Sequence, residues 1–358
     1  MRILYIHDIN RVASTYAREF SQRGHITALY EPDLRGAGSS LCGKLLMLPL
    51  RVLSLRHLVA RLQPASFDLT HIHWASYGVL DLLSQVPVVV HCHGSDVRRR
   101  LRHPLLRPLL AVILRRAAAV LCITPDLLPI VRSVRSDAVF SPAPIDTQQF
   151  APVTEQAIDP HHLWTILLFA RLDPEKGTGI AMAGIRRFTQ RHANIRVRLI
   201  DWGPLKEEYR KLYAYCCEFV PPVSQDQVQQ LIVSANVVVG QFALGALGLS
   251  ELQAMSCARP VICSFHYDEV YPTPPPLCRA DVAEEIDAHL ELLFLQPEME
   301  RELGQQARAW VISHHSHHVL ADKLEALYCS ILGWASPRDA FFEEVGDERN
   351  KGTKRSST

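Results

Sequence analysis

WTILLFARLDPEKG, residues 164–177, is the stretch on which the fold turns. It opens as an almost unbroken apolar run, the pattern of a strand buried on both faces, with the strand read as ending at Arg171. A loop then brings Lys176 five residues further on, with Gly177 behind it. The same grammar continues downstream in IRVRLID (195–201), CEFVPPV (217–223), ANVVVGQF (235–242) and RPVICSF (259–265). Helical patterns separate these runs, among them EEYRKLYAYC (207–216) and SELQAMSCA (250–258). Upstream it is present in RILYIHD (2–8), ITALYEP (26–32), LTHIHW (69–74), VPVVVHC (86–92), AAVLCIT (118–124) and DAVFSP (137–142). Strands alternating with helices predict parallel sheets with helices on both faces, an α/β chain. Two successive series predict two Rossmann-like, doubly wound domains, residues 1–150 and 151–333. The Pro-rich stretch SPAPIDTQQFAP (141–152) is the expected linker. The last helix, near 318–333, is expected to pack back on the first domain, and the polar residues 334–358 to form a disordered tail.

Length and composition agree with this division. A chain of 358 residues, 48% apolar and 21% charged, suffices for two cores and is neither fibrous nor disordered in composition. Its net charge of +1 conceals an asymmetry. Residues 1–150 carry 18 Lys+Arg against 10 Asp+Glu, and the remainder 20 against 27. A basic first half points to an anionic partner. The 9 cysteines include no CxxC pair and lie mostly in apolar runs, as buried reduced thiols do. MRILYIHD reads as a strand rather than a signal peptide, and Arg107, Arg115 and Arg116 interrupt the most apolar long stretch. The expected location is cytoplasmic.

Several ligand classes fail on the residues. No glycine follows the first strand where a dinucleotide fingerprint needs one. GQFALG (240–245) has the glycine spacing of a P-loop, but Ala246 and Leu247 stand where Lys and Ser/Thr belong. There is no D-x-D to bridge a nucleotide sugar through a metal. His91 and His93 share a strand face, and His314, His315, His317 and His318 cluster later, with no companion ligands at metal spacing. No metal and no other cofactor is expected.

Three stretches carry positive signals. Arg171 and Lys176 put two cations on one loop at a strand's C-terminal end, which suits a diphosphate, although a solvated loop carries such charges too. GALGLSELQAMSCARPVI (245–262) runs from a glycine-rich turn into a helix starting near Leu249 or Ser250. A helix N-terminus seats phosphate, and Gln253, read as lying in the first turn, could reach a ribose. A tight strand-to-helix turn reads the same way. VVVHCHGSDV (88–97) ends its strand in His93-Gly94, positioned for sugar hydroxyls or proton handling, or simply for packing.

Taken in order, the HGSD stretch, the linker PAPIDTQQF, the ARLDPEKG loop, the WGPL turn (202–205) and GLSELQAMSCARPVI make the chain resemble the family-four glycosyltransferases, from MRILYIHD to about Tyr328. The resemblance implies the GT-B fold, two Rossmann-like domains facing each other across a cleft, and transfer with retention of anomeric configuration. It makes 1–150 the acceptor-side domain and 151–333 the nucleotide-sugar domain. It implies that Arg171 and Lys176 hold the donor diphosphate, that the backbone at Gly248 and Leu249 contacts phosphate, and that His93 lies beside the transferred sugar. The family's E-x7-E pair falls on Gly245 and Gln253, so both glutamates are replaced. The alternatives to an active transferase are a non-catalytic nucleotide-sugar-binding partner subunit, which the lost glutamates favour, and another GT-B enzyme type such as a sugar-nucleotide epimerase or phosphorylase.

The resemblance also implies a polysaccharide or lipid-linked acceptor. Residues 34–67 hold five Lys+Arg, and residues 97–125 hold seven Arg, with no Asp or Glu in either. Basic, leucine-rich surfaces bind anionic lipid, so peripheral attachment to the inner face of a membrane is the expectation. A nucleic-acid partner is not expected, since no recognition motif is present and the second half is acidic.

Overall fold

The computed structural model describes residues 1–32, 58, 60, 62–153 and 163–335. Most of the basic stretch 34–67, and the expected tail beyond residue 335, therefore lie outside the described residues. The chain divides into two compact units. One comprises Met1–Ile123, Leu127–Pro142 and His318–Thr358; the other comprises Thr124–Asp126 and Ala143–His317.

The first unit is built on a parallel sheet of β1 (Arg2–Ile6), β2 (Ile26–Tyr30), β3 (Leu69–His73), β4 (Val88–Cys92), β5 (Ala119–Cys122) and β6 (Val139–Phe140). Its order is β2-β1-β3-β4-β5-β6. Because side chains alternate along a strand, the sheet has two different faces. One is apolar: Leu4, Ile6, Ile72, Val90, Cys92 and Val120 pack with Leu110 and Leu114 of the helix Arg107–Arg116. The other carries Tyr5, His71, His73 and His91, brought side by side by the pairings Tyr5↔His71 and His73↔His91. Tyr16 and Phe20 of the helix Val12–Gln22 and Tyr328 of the helix His317–Leu332 pack on this second face.

The second unit contains β7 (Trp164–Leu168), β8 (Ile195–Ile200), β9 (Glu218–Val220), β10 (Val237–Val239), β11 (Val261–Cys263) and β12 (Cys278–Arg279), in the order β12-β11-β10-β7-β8-β9. Ile166, Leu168, Val237 and Val239 face the helices Thr178–Thr189 and Ala283–Leu295. Leu167, Val238 and Val261 face the opposite layer, which includes Leu252 and Met255 of the helix Leu249–Ser256. Two details differ from the sequence reading. β12 was not anticipated, since two residues after the run PTPPP give no period to read. β7 stops at Leu168 rather than Arg171, because the chain leaves the ladder there: Phe169 N–H still reaches the Val239 carbonyl, but Leu172 N–H donates to Trp202.

The order makes β7 and β10 neighbours, with their connections running to opposite sides of the sheet. This is the topological switch point, where open α/β sheets bind ligands beyond the C-terminal strand ends. The loops leaving β7 and β10 are the two that the sequence reading singled out.

Candidate functional site

The loop after β7 is shaped by its own side chains. Asp173 is extended and accepts the Glu175 N–H at 2.9 Å, capping a 3-10 turn over Pro174–Lys176. Pro174 at its first position presets φ. Gly177 follows with φ +65, and a Cβ there would come within 2.9 Å of Phe242 Cβ and 3.0 Å of the Ala243 nitrogen. Only glycine allows both that backbone conformation and that approach. The β7 loop thereby closes on the β10 loop, and Phe242 N–H donates to the Lys176 carbonyl at 2.9 Å.

Side chains complete the connection. Lys176 Nζ donates to Gln241 Oε1 at 2.8 Å, and Gln241 Nε2 donates to the Ala246 carbonyl at 2.6 Å. The carboxylate of Glu251 lies beneath the same loop, accepting Gln241 N–H at 2.9 Å and Gly248 N–H at 3.0 Å. Glu251 and Gln241 are both buried. The position of Gly240 is forced by this arrangement, since a Cβ there would lie 2.4 Å from Glu251 Oε1. Arg171 pairs with Asp173 at 2.5 Å and lies over the Trp202 ring at 5.9 Å. The WGPL turn is held against this loop through Leu205 N–H to the Leu172 carbonyl at 3.0 Å.

The structure thus brings Arg171, Lys176, Gly245, Gly248, Leu249 and Gln253 into two adjoining loops and one helix of a single unit. Three details differ from expectation. Gly248 N–H is already bonded to Glu251, so Leu249, the first helical residue, begins the run of N–H groups without an intrahelical partner. Gln253 is the fifth residue of the helix Leu249–Ser256, at the start of its second turn, and is buried. Gly245 has φ +60, and a Cβ there would lie 2.4 Å from Cδ2 of His266. His266 is itself held by Ser264 Oγ at 3.0 Å and by Asp281 at 3.1 Å. A glutamate at position 245 would need both a strained backbone and a displaced His266.

Sequence reasoning missed Gln241, Glu251 as a scaffold, and His266. Gln241 was legible only as a polar residue closing the apolar run ANVVVGQF. Nothing in the sequence marked His266 as a neighbour of Gly245.

His93 lies in the first unit, one residue beyond β4. Its main chain is fixed by Asp96, whose carboxylate accepts the N–H groups of Ala75 (2.8 Å), His93 (3.1 Å) and Gly94 (2.7 Å). Burial pushes the Asp96 carboxyl up from its usual range, and these three bonds oppose the shift. His93 Nε2 meets His73 Nδ1 at 3.0 Å. Burial first, and then the nearby His91 and His71 rings, hold His93 well below its ordinary value, so it is neutral at pH 7. The sequence reading found no companions for His91 and His93; the β3–β4 register corrects this, setting His73 opposite His91 and His71 on the same face.

No helix among the described residues is long and apolar enough to cross a membrane. Residues 9–149 match the model of Glycosyltransferase Family 4. No curated protein matches the chain in sequence. Several solved structures match almost its whole length. HepE from Anabaena, in complex with UDP and glucose, has a TM-score of 0.70 at 13% identity, covering 92% of this chain and 100% of that one. Sucrose-phosphate synthase from Thermosynechococcus elongatus gives 0.72 at 16% identity, covering 93% and 100%. The catalytic domain of Starch Synthase IV from Arabidopsis thaliana, bound to ADP and acarbose, gives 0.67 at 11%, covering 93% and 99%. These likenesses establish the fold, and together with the family match they support a sugar-transfer role. The chain has the GT-B fold of glycosyltransferases, and its residues 9–149 carry the match to glycosyltransferase family 4.

Proposed function

We propose that the protein is a retaining glycosyltransferase that moves a sugar from a nucleotide-sugar donor to a polysaccharide or lipid-linked acceptor, with no metal bridging the donor diphosphate. One observation carries the reading: at the switch point of the second sheet, the loop that bears Arg171 and Lys176 is tied through Lys176 and Gln241 to the loop that leads into the helix Leu249–Ser256. Two cations and a positive helix end neutralise a diphosphate without a divalent ion. Fold neighbours crystallised with UDP and glucose or with ADP support the same ligand class.

The chain's own residues have assignable work in this reading. Lys176, released from Gln241, and Arg171, shifting from Asp173, would each gain charge-assisted bonds to phosphate oxygens. Leu249 N–H would donate to the same group. Gln253 would offer a neutral contact to a ribose hydroxyl where the resembling family uses a carboxylate. His93, neutral and held by Asp96 and His73, would lie beside the transferred sugar as a hydrogen-bonding group rather than a cation. The protein would act in the cytoplasm, peripherally attached to the inner face of the membrane through basic surface such as residues 97–125.

The test is binding of UDP, ADP and GDP by titration calorimetry, followed by donor hydrolysis and transfer with the matching nucleotide sugar. Arg171→Ala and Lys176→Ala should each weaken diphosphate binding by about 10-fold or more while the fold is kept. Turnover should need no added magnesium or manganese. Unchanged affinity in both variants, or turnover that appears only on adding either ion, refutes the reading.

A second reading rests on one observation. A glutamate at position 245, where the family has its first, would have to take a left-handed backbone at φ +60 and push aside the exposed His266 ring. A non-catalytic nucleotide-sugar-binding subunit would bind donor through Lys176 and Arg171 and never turn it over.

A further inference from the structure

The first unit holds a histidine cluster that enters the proposed function only through the contact of His73 with His93. His71, His73 and His91 are wholly buried on the histidine-bearing face of the first sheet. Their ring centroids lie 4.3 Å apart for His71 and His73, 5.4 Å for His71 and His91, and 5.3 Å for His73 and His91. One ligating nitrogen from each lies within 4.8 Å of those of the other two.

In every ring one nitrogen is committed to the protein. His91 Nε2 donates to the Ser141 carbonyl at 2.9 Å, which fixes its tautomer and leaves Nδ1 as a bare lone pair. His73 Nδ1 meets His93 Nε2 at 3.0 Å, and His71 Nδ1 meets Tyr328 Oη at 2.5 Å. The remaining nitrogens, His91 Nδ1, His73 Nε2 and His71 Nε2, are buried without a hydrogen-bond partner. Three such orphans in one place are unusual, because buried polar atoms are nearly always satisfied. Burial keeps all three imidazoles neutral, the form that ligates. An outer nitrogen anchored to a carbonyl, a hydroxyl or another imidazole is how ligating histidines are held.

We propose that His71, His73 and His91 form a metal site in the first unit, taking one zinc-class divalent ion through one imidazole nitrogen each. Three nitrogen ligands without thiolate suit zinc, and cobalt(II) as its spectroscopic substitute. The rings are close to parallel, at 20° for His71 and His73, 13° for His71 and His91 and 32° for His73 and His91, so their in-plane lone pairs run alongside one another. At metal–nitrogen distances near 2.0–2.1 Å, tetrahedral geometry needs nitrogens about 3.3 Å apart, so binding requires the rings to turn out of this stack until the lone pairs converge. The ion joins β3 to β4. Through His73 it also acts on His93, since a metallated imidazole is a stronger donor from its other nitrogen. The proposal is independent of the donor reading, because none of these residues belongs to the unit that carries Lys176 and Arg171.

The experiment uses the full chain, stripped of metal by prolonged dialysis against chelator and titrated with zinc(II) alone in competition with a chromophoric chelator. One equivalent should bind tightly, and cobalt(II) should give the intense visible bands of a tetrahedral site. His91→Asn and His73→Gln should weaken zinc binding by more than the 10–100-fold that loss of an outer-shell partner costs. His266→Asn, a change outside the cluster, should leave it as it was. No stoichiometric zinc in the wild type, or equal binding by wild type and His91→Asn, overturns the proposal. If the variants do not fold, the cobalt spectrum of the wild type decides: weak octahedral bands, or none, overturn it.

Discussion

Glu251 offers the most direct test of how the second unit shapes its ligand loop. Its carboxylate is buried and accepts two main-chain N–H groups, Gln241 at 2.9 Å and Gly248 at 3.0 Å. Glu251→Ala removes both acceptors at once and leaves a hole beneath Gly240. A buried donor stripped of its acceptor costs about 1–3 kcal/mol. Gln241 N–H is fully enclosed and Gly248 N–H only partly, so the two together should destabilise the second unit by about 2–4 kcal/mol. Glu251→Gln keeps one carbonyl acceptor, but its amide NH2 faces one of the two main-chain donors, so about 1–2 kcal/mol is expected. The assay is urea unfolding, reading the transition of the second unit at several wavelengths so that the two units can be separated. Donor affinity should fall with the alanine variant as well, because Lys176 is positioned through Gln241. Glu251→Ala within about 0.5 kcal/mol of wild type would refute the scaffold argument. A glutamine variant worse than alanine would also refute it.

Further outcomes follow from neighbouring residues. Gly245→Ala should destabilise by about 1–3 kcal/mol through its left-handed backbone and the 2.4 Å approach to His266, and adding His266→Ala should recover the steric part but not the backbone part; a double-mutant cycle in urea measures the split. Gln253→Glu should retain or improve donor affinity and Gln253→Ala should weaken it, as read by calorimetry with the best-binding nucleotide sugar; indifference to both makes Gln253 an ordinary helix residue. Asp96→Ala leaves the N–H groups of Ala75, His93 and Gly94 without their acceptor and should cost at least about 3 kcal/mol in the first unit, visible as a lower urea midpoint. Glu300 is pushed up by burial, against bonds from Trp164 and Asn236, so the native state binds its proton more readily than the unfolded chain does. Stability therefore falls as pH rises above the ordinary glutamate value toward the native one, and Glu300→Gln should remove this fall, read as flatter urea midpoints in a pH series that starts at the ordinary glutamate value and rises from there.

The sequence by itself determined the two doubly wound units. Short Val- and Ile-rich runs separated by helical periods admit few other packings, and connection rules fix the rest. It also marked the loops that follow β7 and β10, because Arg171, Lys176, Gly177 and the glycines from 245 to 248 lie within short segments of sequence. Only the tertiary structure decided what crosses between segments. β7 and β10 are adjacent, so Gln241 reaches Lys176 across 65 residues of chain. His266 fills the space beside Gly245 because β11 delivers it there, an effect no spacing encodes. The histidines illustrate the limit most clearly. LTHIHW and VVVHCHG each show two histidines on one strand face, which is a local property with a period of two. That the two strands are neighbours, in a register that sets His73 against His91, with His71 on the same face packed against Tyr16 and Tyr328, depends on parallel pairing and on the packing of a helix from the far end of the chain.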